Sequence, residues 1–254
     1  MTVWALDLDG VIWLGGEAIP GSPQAVSTLL SRGVDVCFAT NFSYSPVAEA
    51  EAKLARIGID GRGRVITSAM AAASLVQPEE TVLLCGGPGV EEALLARGAT
   101  VVREGQADVV VVGYDPEFDY HKLTVAVSAI RAGARFVATN EDPTFPTPGG
   151  LLPGGGSLVA AVAYASQTQP LVAGKPHEAF ARLIEARYGT DGVMVGDQPM
   201  TDGGLAKRLG YRFGLVLSGV THLSDLPCDP PADLVAADLA ELVAAFAPTN
   251  DHGR

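Results

Sequence analysis

The chain has few cysteines, little positive charge and no long uninterrupted apolar run, and each scarcity removes a class of protein. Its 254 residues include three cysteines, Cys37, Cys85 and Cys228, far apart and with no CxxC pair. A disulfide framework or a zinc site therefore has little support. Cys37 and Cys85 lie in strand-like apolar runs, where a cysteine behaves as a small buried hydrophobe. Seventeen Lys and Arg stand against 29 Asp and Glu, a formal net charge of −12. A nucleic acid or an anionic membrane is not the expected partner of such a chain. Apolar stretches such as Leu158 to Ala165 are too short to span a bilayer. The start, Met1-Thr2-Val3-Trp4-Ala5-Leu6-Asp7, lacks the basic region of a secretory signal. A cytoplasmic location is expected, and a homodimer is allowed without being required.

With 48% hydrophobic and 18% charged residues, the chain has the composition of a folded globular protein. Apolar, β-branched runs at Val3 to Leu6, Val34 to Ala39, Val82 to Cys85, Val109 to Val112, Arg135 to Ala138, Val193 to Val195 and Leu215 to Leu217 read as buried strands. Helical patterns fall between them, at Pro23 to Arg32, Pro46 to Ile57, Val90 to Arg97, Tyr120 to Ala132, Ser157 to Ala165, Glu178 to Tyr188 and Thr201 to Leu209. Apolar strands alternating with helices predict an α/β fold, a Rossmann-like, doubly wound parallel sheet covered on both faces. The middle of the chain reads as a second α/β unit inserted into the first. This predicts a core of residues 1–79 and 174–254 and a lid-like cap of residues 80–173, with the chain rejoining the first sheet at Val172 to Lys175. The polar end, Pro248 to Arg254, is expected to fray.

Four short motifs sit where predicted strands end, the edge at which α/β sheets collect ligands. Asp7 and Asp9, in Asp7-Leu8-Asp9-Gly10, share one face of an extended segment. Two carboxylates about 4 Å apart repel by about 4 kcal/mol at an effective dielectric near 20. A divalent cation relieves that, and oxygen-only donors suit magnesium better than zinc. Thr40 and Asn41 offer a hydroxyl, an amide and local N–H groups to a phosphate, though an ordinary helix cap uses the same residues. Lys175, in Lys175-Pro176, can neutralise a nucleophile and a transferring group. Asp197, after Gly196, is the better metal ligand; Asp202, after Thr201, is better placed to orient Lys175 or a water. His177 reads as a helix-start residue, and Gly86-Gly87-Pro88-Gly89 as a tight turn rather than a nucleotide loop. Together these parts suit metal-assisted phosphoryl transfer. The negative global charge repels such a substrate, so positive charge must be supplied locally by a metal ion, a lysine and backbone N–H groups.

The order DLDGV, TN, KP and GDxxxTD resembles the haloacid dehalogenase superfamily of phosphohydrolases. TNEDPTFP, together with PGGGSL before GKP, resembles its subfamily IIA, the p-nitrophenyl-phosphatase-like branch with a C2-type cap. The resemblance implies that Asp7 is the nucleophile and Asp9 the general acid/base. It implies Mg2+ on Asp7, Asp197 and the backbone carbonyl of Asp9, with Thr40, Asn41 and Lys175 on the phosphoryl group and Asp202 in support. The implied substrate is a small phosphorylated metabolite such as a sugar phosphate, glycerol phosphate or phosphoglycolate. Asn140, Asp142 and Tyr114 are the candidate contacts near the cap–core cleft. The chain departs from the branch at Phe42, where a second asparagine is common, at Gln198-Pro199-Met200, and at His177, where an acid is often found. A dehalogenase has no need of an acid at Asp9. A phosphotransferase or mutase shares every motif. A non-catalytic phosphate-binding protein is expected to have lost one of the acids, and none is missing.

Overall fold

The computed structural model describes residues 2–147 and 149–246; the expectation for Pro248 to Arg254 lies outside them. The chain opens with β1 (Val3–Leu6), a hairpin of β2 (Trp13–Leu14) and β3 (Glu17–Ala18), and α1 (Ser22–Ser31). Then come β4 (Asp35–Thr40), α2 (Val47–Arg56), β5 (Val65–Thr67) and α3 (Ser68–Ser74). A second set follows: β6 (Thr81–Cys85), α4 (Pro88–Ala96), β7 (Thr100–Val102), β8 (Val109–Val112), α5 (Tyr120–Arg131) and β9 (Arg135–Ala138). It ends with the hairpin β10 (Thr144–Thr147) and β11 (Gly150–Pro153), α6 (Gly155–Ser166) and β12 (Leu171–Val172). The last part is α7 (Glu178–Tyr188), β13 (Gly192–Gly196), α8 (Gly204–Leu209), β14 (Arg212–Val216), β15 (Leu234–Ala236) and α9 (Leu239–Ala245).

Two parallel sheets result, in the orders β15-β14-β13-β1-β4-β5 and β12-β9-β8-β6-β7. β1, β8 and β13 are buried throughout, as strands covered on both faces must be. In the first sheet the chain winds outward from β1 in both directions, through β4 on one side and β13 on the other. The reversal opens a crevice at the carboxyl end of β1, the place where this architecture binds ligands. Leu6 is level with both Phe38 and Val195, so the residues that follow β1, β4 and β13 emerge side by side.

Three expectations need correction. Leu171–Val172 is an edge strand of the second sheet, paired with Val137 and Ala138, so the chain does not rejoin the first sheet there. The Ala173 amide still donates to Ala138 O at 2.9 Å, and the first sheet resumes only at Gly192. The helix expected from Thr201 begins instead as a π-helical turn, Pro199–Gly203, before α8. Such wide turns often accompany functional sites because they redirect a side chain, here Asp202. The strand expected at Leu215 to Leu217 starts earlier, at Arg212.

β5 and α3 escape the sequence reading because β5 is three residues long and α3 is buried on nearly all sides. A helix without a polar face carries no amphipathic period. α3 matters for packing: Ala69, Ala71, Ala72 and Ala73 join Ala5 and Met194 of the first sheet to Val82, Leu84 and Val111 of the second in one buried cluster. The Gly86–Gly89 stretch leads into α4, and its composition follows from this packing. A Cβ on Gly87 would run into Tyr44, and one on Gly89 into the Ser45 and Ser43 carbonyls. The Gly89 amide donates to Tyr44 O at 2.7 Å, closing the approach.

Candidate active site

The crevice gathers one side chain from each motif. Asp7 follows β1 and its amide donates to Val195 O at 2.9 Å. Lys175 lies in the loop between β12 and α7, and its Nζ donates to Asp7 Oδ1 at 2.7 Å and to Asp202 Oδ1 at 2.7 Å. Carboxylate oxygens of Asp7, Asp197 and Asp202 lie within 4.8 Å of one another, and all three residues are buried. Lys175 itself is 4% exposed, so water screens these charges little.

Three carboxylates face one ammonium, and the titration of the group reflects that excess. Burial raises Asp7 well above the usual carboxylate range; Lys175 opposes the rise, while Asp202 and Asp197 add to it. Asp197 is pushed up to about 7, by burial first and Asp202 second, against the hydrogen bond from the Val220 amide. Burial pulls the Lys175 ammonium the other way, but Asp202 and Asp7 outweigh it and hold the lysine charged. The centre is short of positive charge.

The donor set fits a hard divalent cation. All the donors are oxygens. Asp197 Oδ1 is buried without a hydrogen-bond partner among the described residues, and an unmet buried acceptor costs about 1–3 kcal/mol. Its other oxygen accepts from the Val220 amide at 2.7 Å. Thr221 Oγ1 donates to the Asp197 carbonyl, and Ser218 Oγ donates to Gly10 O at 2.7 Å. Gly10 adopts φ +83°, and a Cβ there would strike the Asp197 carboxylate and Gly219 Cα. Only glycine lets β1's exit loop pass this close to Asp197.

Asp9 stands apart from that centre. It is exposed, yet the surrounding protein withdraws enough water to raise its carboxyl, against the opposing pull of Lys53 and a hydrogen bond from Trp13. Trp13 Nε1 donates to Asp9 Oδ1 at 2.9 Å, and Lys53 Nζ lies 3.8 Å from the centroid of the Trp13 ring.

The Thr40-Asn41 motif is knitted to the elements around it. Thr40 and Asn41 are buried, and Thr40 Oγ1 accepts the Phe42 amide at 3.0 Å. Asn41 Oδ1 accepts the Lys175 amide at 2.8 Å, while its Nδ2 donates to Asp142 Oδ2 at 3.1 Å. Asn140 Nδ2 donates to Asn41 O at 2.8 Å. Asn140 and Asp142 thus reach the site from the loop after β9. Tyr114 stacks edge-on with Tyr44 and Phe145, at centroid distances of 5.6 Å and 5.0 Å. His177 precedes α7, and its Nε2 lies 3.0 Å from Glu141 Oε2.

Sequence reasoning passed over Trp13, Lys53 and the Ser218–Thr221 loop. The loop had a usable signal, since Ser218-Gly219 follows a predicted strand at the same sheet edge as the other motifs. Trp13 and Lys53 had none: the tight turn into the β2–β3 hairpin folds Trp13 back onto Asp9, and Lys53 arrives from α2, far along the chain.

The fold and this acid–lysine centre define a class. Residues 4–100 match the haloacid dehalogenase-like hydrolase family and residues 172–242 the HAD-hydrolase-like family. An acid sugar phosphatase of Staphylococcus saprophyticus is 35% identical over 206 residues, covering 78% of this chain and 80% of that protein. The p-nitrophenyl phosphatase of Archaeoglobus fulgidus superposes with a TM-score of 0.89 at 29% identity, over 96% of this chain and 99% of that one. The glycerol phosphate phosphatase of Mycobacterium tuberculosis, in complex with magnesium, superposes with a TM-score of 0.87 at 34% identity, over 94% and 76%. The chain belongs to the haloacid dehalogenase-like hydrolases. Within them it is a phosphatase of subfamily IIA, a phosphoric monoester hydrolase. Among the described residues, no helix is long and apolar enough to cross a membrane.

Proposed function

We propose that this phosphatase hydrolyses small phosphate monoesters with magnesium, through an aspartyl-phosphate formed on Asp7. The observation that carries the reading is the convergence of Asp7, Asp197 and Asp202 around the Lys175 ammonium, with one Asp197 oxygen buried and unmet. Asp7 Oδ attacks the phosphorus in line while Asp9 protonates the departing ester oxygen; Asp9 then takes a proton from the water that opens the acyl phosphate. Thr40, Asn41 and Lys175 hold the phosphoryl oxygens, and Asp202 keeps Lys175 aimed at Asp7. Magnesium would be held by Asp7, Asp197 and the Asp9 backbone carbonyl, supplying positive charge to the transferring phosphoryl oxygens. Residues 80–173 act as a cap over a core of 1–79 and 174–254, and Asn140 and Asp142 carry the cap's contacts to the site. The relatives named for acid sugar and glycerol phosphates support a small leaving group; a sugar phosphate, glycerol phosphate or phosphoglycolate suits the site.

Phosphate release from p-nitrophenyl phosphate tests the reading. It is expected with millimolar magnesium and absent in excess chelator; full activity with chelator overturns it. The pH dependence has a definite sign. Asp197 has its folded value raised from 3.8 to about 7, so its ionisation costs the metal-free fold stability as pH rises through that window. The cation must displace that proton, so magnesium affinity climbs with pH up to about 7 and then levels. Titration calorimetry showing affinity independent of pH from 5 to 8 contradicts this.

Asp9→Asn separates the two acids. Turnover should fall by about 10²–10⁴-fold, the usual worth of a positioned general acid, with magnesium affinity largely kept. Loss of metal binding in calorimetry would show that the Asp9 side chain is itself a ligand.

A further inference from the structure

The phosphatase mechanism leaves one feature of the site unused: an aromatic ring standing open beside the phosphate motif. Phe42 immediately follows Asn41 and is 43% exposed. Its amide is fixed on Thr40 Oγ1 at 3.0 Å, so the backbone that carries the ring is the backbone of the phosphate motif. The ring is not isolated. Its centroid lies 6.5 Å from Tyr44 and 6.5 Å from Tyr114. Tyr114 in turn meets Tyr44 at 5.6 Å and Phe145 at 5.0 Å, both edge-on. Phe42 and Tyr44 come from the loop after β4, Tyr114 from the loop after β8 and Phe145 from the β10–β11 hairpin. Tyr44, Tyr114 and Phe145 are half-buried, which leaves Phe42 as the open end of the row.

Fully burying an exposed phenylalanine returns about 1.5–3 kcal/mol, and covering the open 43% of Phe42 would return a share of that. Here it is next in sequence to Asn41, and Asn41 shares hydrogen bonds with Lys175 and Asp142. The group that can cover it during turnover is the part of the substrate that projects from the phosphoryl group. Tyr44 and Tyr114 flank the ring as tilted pairs, within the range of about 4.5–7 Å over which aromatic rings attract one another, and they leave part of it open for stacking.

We propose that Phe42, backed by Tyr44 and Tyr114, is a specificity-determining residue that stacks on the leaving group, so that monoesters of ring-bearing, planar alcohols are favoured over glycerol phosphate. This rests on the phosphatase reading and shifts its preferred leaving group from the small polyols in the relatives' names to planar rings. Polar hydroxyls of a polyol gain nothing from an aromatic face, whereas aryl or heteroaryl rings stack on one whatever their substituents.

Phe42→Ala and Phe42→Tyr, each assayed with phenyl phosphate and with glycerol phosphate in magnesium, test the proposal. Comparing variant with wild type for each ester cancels the different intrinsic reactivity of the two leaving groups. For Phe42→Ala the ratio of kcat/KM, phenyl over glycerol phosphate, should fall about tenfold, with the change carried by KM. Phe42→Tyr, which keeps the ring, should hold the ratio near wild type. A ratio unmoved in Phe42→Ala overturns the proposal, as does a Phe42→Tyr ratio that falls equally far, since shape rather than a stacking face would then decide. A wild-type enzyme that releases phosphate from neither ester would instead overturn the underlying reading. The ring's exposure makes both variants compatible with folding, and a thermal melt alongside the kinetics checks it.

Discussion

Asp7→Asn is expected to lower phosphate release by at least about 10⁴-fold while leaving the fold intact, the largest activity effect of any single change in this protein. The size follows from the proposed role: a nucleophile acts as a unit with its partners, and losing it removes nearly everything that unit contributes. The survival of the fold follows from the electrostatics. Asp7 is one of three buried carboxylates around one ammonium, and both burial and its acidic neighbours raise it against the single opposing lysine. A neutral amide of the same shape removes part of that repulsion, and Lys175 keeps Asp202 at 2.7 Å. The metal-free variant should therefore melt no lower than metal-free wild type. Rapid acid quench with labelled substrate gives the decisive readout: label stays on the wild-type chain and not on the variant. Residual turnover above about 1% would remove Asp7 from the nucleophile's role.

Lys175→Met should have the largest effect on stability, about 3–5 kcal/mol, because it strips the partner from charges that are already buried. The pH dependence is specific. In wild type the lysine's folded value is raised above 10.5 by Asp202 and Asp7. Its contribution is therefore fully present below about 10.5 and lost only as pH rises through the folded value. Across neutral pH the wild-type benefit is constant. In the variant the penalty comes from the carboxylates that remain ionised, so it grows as pH rises above the carboxylate range and shrinks in acid as they protonate. Magnesium should recover part of the loss and none of the activity comparable to wild type. Urea melts at pH 5 and pH 8, with and without magnesium, read all of this. A loss equal at both pH values would mean that packing of the lysine stem, rather than its charge, holds the centre together.

Much of this architecture is legible along the chain. Val3–Leu6, Val109–Val112, Arg135–Ala138 and Glu178–Tyr188 have the bounds their residue patterns predict, because short apolar, β-branched runs mark buried strands and a two-sided helix writes its period plainly. The parts that were not legible share a reason. α3 has no polar side to mark its period, β5 is too short to alternate, and the π-helical turn at Pro199–Gly203 looks like the start of an ordinary helix.

The sequence by itself determined the chemical inventory: two acids flanking one position after β1, a lysine, and two further acids, all where strands end. It also determined that the sheets are parallel and buried, since runs such as Val109–Val112 allow no solvent face. Only the tertiary structure decided the division of labour. Asp202, distant in sequence from Asp7, becomes its equal as a partner of Lys175, and Asp9, two residues from Asp7, pairs with Trp13 instead. Local spacing fixes which face of a strand a side chain leaves from. Which charges meet depends on the packing of segments brought together from opposite ends of the chain.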